Sequence, residues 1–183
     1  MTAPRDLGSM PAEGRMVTVD ERLVRAPLPM ILAFATDVER WPERLAHYRS
    51  VRFVERRADG SGVVEMAAKR PFGPLSWPAW WMSEMQVTGE RSGGRPAIHY
   101  RHIRGITTGM EVEWQFARMG DQTQVRIIHV WNGPAWPLIG GLIARLVIGP
   151  VFVHGIASRT LAGLALAAER MAMDAPPTEV TSG

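Results

Sequence analysis

Alternating apolar and polar positions begin at Met16–Val24, MVTVDERLV, where Val17, Val19 and Leu23 sit two or four residues apart. That spacing is one face of a half-buried strand. Pro27 and Pro29 suit the approach and first turn of a short helix over Leu28–Thr36. A second short helix is predicted over Val38–Ala46, with Asp37 as its cap and Pro42 within its first turns. Further alternating runs follow at His47–Arg56, Gly62–Arg70, Pro78–Val87, Ala97–Arg104, Thr108–Met119 and Gln122–Asn132. Asp59-Gly60-Ser61-Gly62, Gly93-Gly94 and Gly120-Asp121 supply turn chemistry between them. Connections this short require antiparallel pairing. The chain closes with a long helix from about Val151 to Met173. Its buried stripe is expected at Val153, Ala157, Leu161, Leu164, Ala168 and Met171, with Arg159 and Glu169 toward water. Gly155, Ala162, Gly163, Ala165 and Ala167 keep that helix slim. The whole pattern predicts an α+β fold: about seven antiparallel strands curved around one helix, with a cavity between them.

Composition narrows this picture. A chain of 183 residues, 46% hydrophobic and 21% charged, has the balance of a globular protein and the length for one core. We expect one domain over residues 15–173, with flexible tails at 1–14 and 174–183. The absence of cysteine excludes disulfides, thiolate catalysis and cysteine-ligated metals. Lys69 is the only lysine among 21 basic residues, yet the arginines are scattered and the net charge is only +3. Nucleic-acid binding calls for a concentrated basic face, so none is expected. The first residues carry no signal-peptide apolar core. The most apolar region, Pro134 to Ala168, is interrupted by Arg145, His154 and Arg159 and broken at Gly149-Pro150, so a membrane span is not expected. A cytoplasmic protein, monomer or homodimer, is the reading that follows.

Strand faces single out candidate chemistry. Ile98, Tyr100, His102 and Arg104 share one face of their strand; Met110, Val112, Trp114 and Phe116 share one face of the next. In the last strand Val125, Ile127, His129 and Trp131 lie together, so His129 is expected inward. His102 and His129 would then be acid–base groups titrating near neutral pH in an apolar pocket, with the Tyr100 phenol as a donor to a carbonyl or enol. A ligand-binding lining is expected from Met66, Trp81, Met85, Met110, Trp114, Phe116, Trp131, His154 and Leu161. Glu84 lies on the opposite face from Trp81 and receives no role, and His47 and His99 share their faces with arginine. No histidine pairing or nearby carboxylate suggests a metal site, and no cofactor is implied. Seven tryptophans, including the Trp77-Pro78-Ala79-Trp80-Trp81 run, fit an aromatic-lined pocket for a large apolar ligand as well as ordinary packing.

Three stretches resemble the helix-grip superfamily that includes START domains, the birch-pollen allergen fold and bacterial polyketide cyclases. They are Ala26-Pro27 leading into Phe34-Ala35-Thr36-Asp37-Val38-Glu39-Arg40-Trp41-Pro42, the turn Gly120-Asp121-Gln122-Thr123-Gln124-Val125, and the terminal helix ending in Ala168-Glu169-Arg170. Together they span about residues 15–172, and the chain looks closest to the polyketide cyclase/dehydrase and coenzyme-Q-binding branch. The apolar segment 135–149 departs from that pattern and reads as an entrance lid, a peripheral membrane contact or a dimer face. The resemblance implies a hydrophobic small-molecule ligand. One expectation is a cyclase/dehydratase acting on a polyketide or aromatic intermediate, with His102, His129 and Tyr100 as its chemistry. The alternative is a non-catalytic carrier or chaperone for a quinone or lipid.

Overall fold

The computed structural model describes residues 10–11, 13–72, 75–89, 95–105, 107–133 and 154–174, without the side chains of 70–72, 75–77 and 154. The Gly93-Gly94 bend, Trp136, the segment 135–149 and most of both tails lie outside these residues, as do the side chains of His154 and Trp77. Among the described residues, seven strands form a single sheet: β1 (Met16–Val24), β2 (Tyr48–Arg56), β3 (Gly62–Phe72), β4 (Leu75–Thr88), β5 (Ala97–Gly105), β6 (Glu111–Met119) and β7 (Gln122–Trp131). Their order is β1-β7-β6-β5-β4-β3-β2, with every neighbouring pair antiparallel. Helices α1 (Leu28–Thr36) and α2 (Trp41–Arg44), joined by a 3-10 turn at Val38–Arg40, separate β1 from β2, and α3 (His154–Asp174) ends the fold. This is the expected α+β helix-grip architecture.

Period-two alternation sets most inner faces as anticipated. Ile98 and Tyr100 on β5, Val112, Trp114 and Phe116 on β6, and Val125, Ile127, His129 and Trp131 on β7 are all buried. On β4, Trp81, Ser83 and Met85 turn inward while Trp80 is exposed. The first strand is out of phase with its predicted face. Val17, Val19 and Leu23 are about half exposed, and Met16, Asp20 and Val24 are buried instead. A one-residue change of phase turns every side chain of a strand to the other side, and the polar inner residues Thr18 and Asp20 had hidden the true phase.

The helices also depart from expectation in their details. Asp37 makes no side-chain cap; its carboxylate instead pairs with Arg44 at 3.1 Å. On α3, Ala157, Leu161, Leu164 and Ala168 are buried as predicted, joined by Thr160 and Ala165, while Met171 is exposed. Glu169 is buried rather than solvated, because its Oε1 accepts the backbone N–H of Arg25 at 3.1 Å and ties α3 to the β1–α1 connection. Gly163 lets α3 lie close against Leu45, in the turn after α2: a Cβ there would collide with Leu45 Cδ2. No described helix is long and apolar enough to cross a membrane.

Candidate functional site

Inward residues of neighbouring strands line up across the sheet. Register aligns Met85, Tyr100, Val112, His129 and Thr18 in one line across β4, β5, β6, β7 and β1. Ser83 stands opposite His102 in the neighbouring line. Two strand spacings separate Tyr100 from His129, or roughly 10 Å of backbone. Over these rows lie the first turns of α3, with Ile156, Ala157 and Thr160 facing the sheet.

Between them is a cleft of about 80 Å³. Its sheet side is formed by Met66, Trp81, Tyr100, His102, Met110, Val112, Trp114, Ile127 and His129. Trp41, Tyr48 and Thr107 complete the wall, and none of these described lining residues is charged. Aromatic rings run along it in sequence. Trp114 meets Trp41 at 5.9 Å, Trp41 meets Tyr48 edge-on at 5.3 Å, Tyr48 meets Trp81 at 6.2 Å, and Trp81 stacks on His102 at 6.0 Å. Offset and edge-on contacts of this kind are the favoured geometries of aromatic pairs. Trp41 is held in place by its indole N–H, which donates to the Phe34 carbonyl at 3.1 Å.

Of the expected lining, Met66, Trp81, Met110 and Trp114 border the cleft, as do Tyr100, His102 and His129. Met85, Phe116, Trp131 and Leu161 are buried in the core around it and do not border it. The wall also includes residues not anticipated from sequence. Trp41 and Tyr48 arrive from outside the sheet's central strands, Thr107 from the β5–β6 hairpin, and Thr160 from α3. Hairpin and helix side chains carry no period-two signal that would place them; only the aromatic character of Trp41 and Tyr48 pointed their way.

The polar groups of the cleft differ in their partners. Tyr100 is buried, and its hydroxyl has no hydrogen-bond partner among the described residues. Ser83 Oγ, fully buried on the neighbouring strand, is likewise unpartnered among them. Tyr48, by contrast, shares a hydrogen bond with the Thr160 hydroxyl, which also contacts His47 Nε2 at 3.0 Å. Burial pushes both phenols well above their ordinary range, with the nearby Tyr48 adding to the effect at Tyr100. They are therefore neutral donors at any working pH.

His102 Nδ1 lies 2.7 Å from the Thr107 hydroxyl, and His129 Nδ1 lies 3.2 Å from Thr18 Oγ1. Burial pushes His102 down to about 3, so it does not titrate near neutral pH as expected from its residue type. The low-dielectric wall disfavours the imidazolium, and its described residues include no carboxylate to support it. The two remaining described histidine side chains lie elsewhere. His99 pairs with Glu111 at 2.7 Å on the outer face, and His47, lowered by burial and then by Arg159, sits behind Thr160. Among the described residues no three His, Asp or Glu side chains are placed to hold a metal ion.

The chain's relationships agree with this architecture. A family model described as polyketide cyclase/dehydrase and lipid transport matches residues 24–151. A protein from Thermus thermophilus superposes with a TM-score of 0.68 at 20% identity, over 85% of this chain and 98% of that one. The Zhui aromatase/cyclase from Streptomyces sp. R1128 gives 0.69 at 19% identity, over 84% and 93%. A START superfamily protein from Mycobacterium smegmatis gives 0.59 at 17%, over 87% and 98%. At these identities the likeness is one of fold. No curated protein matches the chain in sequence.

Proposed function

Since the chain belongs to the polyketide cyclase/dehydrase and lipid transport family, we propose that it binds a hydrophobic polyketide or aromatic molecule in the cleft and promotes its aldol cyclisation and dehydration. One observation carries this reading: a buried phenol, Tyr100, unpartnered among the described residues, stands on the wall of an otherwise apolar cleft. Burying an unsatisfied hydroxyl costs about 1–3 kcal/mol. A ligand carbonyl seated against it recovers that cost, and the recovery grows as negative charge develops on the oxygen.

In this reading the aromatic wall folds the ligand, which replaces solvent around the reacting carbons. His129, held through Nδ1 by Thr18, removes a proton from the carbon between two ketones. The resulting enolate oxygen is held by the Tyr100 O–H and by His102. Its carbon attacks a second carbonyl, closing the ring, and the alkoxide formed takes the proton back from His129. Loss of a second α-proton and departure of the hydroxyl as water complete dehydration. His102 is too weak a base for the first step, because burial holds it near 3; its part is that of a neutral polarising group.

The carrier alternative is supported by the same apolar lining. What favours the cyclase reading is the Tyr100 hydroxyl on that wall, which has no partner among the described residues, since storage of an apolar tail calls for no such donor.

The test supplies a synthase-generated poly-β-ketone chain and follows aromatic product by mass spectrometry. Product formation should depend on the protein and fall at least roughly 100-fold in His129→Ala and about 10-fold in Tyr100→Phe, on the usual scale of proton transfer and single-donor losses. Turnover that survives His102→Ala together with His129→Ala would refute the mechanism. A quinone or lipid that co-purifies and is returned unchanged would favour the carrier.

A further inference from the structure

The β5–β6 hairpin carries a polar contact that takes no part in the proton transfers. Gly105, with φ +98°, opens its turn, and a Cβ there would collide with the Trp80 carbonyl oxygen. The turn is closed by Met110 N–H donating to the Thr107 carbonyl at 3.0 Å and Gly109 N–H donating to the His102 carbonyl at 2.8 Å. From β7, the Trp131 indole N–H donates to the Thr108 carbonyl at 3.0 Å. Thr107 is thus held on a braced turn, and it is only 4% exposed. Among the described residues its hydroxyl has one partner, His102 Nδ1, at 2.7 Å.

A hydroxyl carries one proton and a neutral imidazole carries one N–H. If Nδ1 held the ring proton, it would donate to Thr107, and the buried Thr107 proton would have nowhere to go. If Thr107 donates to Nδ1 instead, the hydroxyl proton is used and the ring proton moves to Nε2. Leaving a buried donor unmade is the more costly arrangement. In that arrangement the Nε2 proton has no partner among the described residues, but it is not enclosed. His102 is only part-buried and its ring borders the cleft, where water or a ligand oxygen can accept the proton, whereas the Thr107 hydroxyl sits on a buried residue.

We infer that Thr107 is a positioning residue: its hydroxyl donates to His102 Nδ1 and fixes the Nε2–H tautomer, so that the cleft presents a second neutral donor beside the Tyr100 hydroxyl. The pair selects a ligand with a neutral carbonyl oxygen, a ketone or its enol, over a carboxylate, because the described wall contains no lysine or arginine to receive a charge. This selectivity rests on the cyclase reading, whereas the tautomer does not.

The decisive experiment needs no natural substrate. Nitrogen-15 and proton NMR of ligand-free protein labelled at histidine reports which ring nitrogen of His102 carries the proton at pH 7. Nε2–H is expected in the wild type and in Thr107→Ser, and a shift toward Nδ1–H in Thr107→Val. A wild-type ring protonated at Nδ1 would overturn the proposal, and so would an unchanged Nε2–H ring in folded Thr107→Val. Should Thr107→Val not fold, the wild-type and Thr107→Ser spectra still decide it. Acetophenone and ethylbenzene, near in shape, then report the ligand side by titration. Acetophenone should bind the wild type several-fold more tightly than Thr107→Val, with ethylbenzene indifferent to the change. If the tautomer is Nε2–H but the two probes bind the wild type equally, the Thr107 assignment stands and the carbonyl-binding function falls.

Discussion

Replacing His102 with Asn should remove a specific part of the protein's acid sensitivity. The folded-state value near 3 lies below the 6.5 of an unconstrained histidine, so between those limits the unfolded chain takes up a proton that the native ring refuses. Stability from this residue is therefore intact above about pH 6.5 and is lost as pH falls toward 3, with a slope approaching about 1.4 kcal/mol per pH unit. From pH 7 to pH 5 the linkage relation yields roughly 2 kcal/mol. His102→Asn keeps a polar group within reach of Thr107 and cannot titrate, and all other groups contribute alike to both proteins. Urea unfolding of each at pH 7 and pH 5 isolates the difference: the wild type should lose about 2 kcal/mol more than the variant. Parallel losses, within about 0.5 kcal/mol, would mean that water entering the cleft solvates the imidazolium, and the argument for a permanently neutral His102 would fail.

Tyr100→Phe should leave stability unchanged or raise it by about 1 kcal/mol, since it deletes a buried hydroxyl that has no hydrogen-bond partner among the described residues. A loss above about 1 kcal/mol in a urea titration would show that the phenol has a structural partner. Trp41→Phe, by contrast, removes the donor to the Phe34 carbonyl and part of a ring 2% exposed. It should cost roughly 2–3 kcal/mol and enlarge the cleft. A midpoint in urea that does not move would refute the bracing role of that indole.

Much of the fold was legible because antiparallel strands with one wet face write their orientation directly into alternate residues. On β5, β6 and β7 the inner sets Tyr100/His102, Trp114/Phe116 and Ile127/His129 followed from that period alone. The same logic failed on β1. Its inward positions include Thr18 and Asp20, and its outward positions include Val17, Val19 and Leu23, so composition pointed the wrong way. Thr18 is there to reach His129, a contact between residues 111 positions apart that no local pattern contains. Glu169 misled for a related reason: its buried carboxylate answers the Arg25 N–H across the fold.

By itself, then, the sequence determined the element order, the antiparallel pairing and which strand faces are apolar, since each depends on neighbours a few residues away. Only the tertiary structure decided where the cleft lies and what completes its wall. α2 brings Trp41 to Trp114, α3 brings Thr160 to Tyr48, and the hairpin brings Thr107 to His102. It also decided the chemistry of the groups there. A histidine's proton affinity and a phenol's unmet hydrogen bond are set by the solvent and partners that packing removes, and those come from elements distant in the chain.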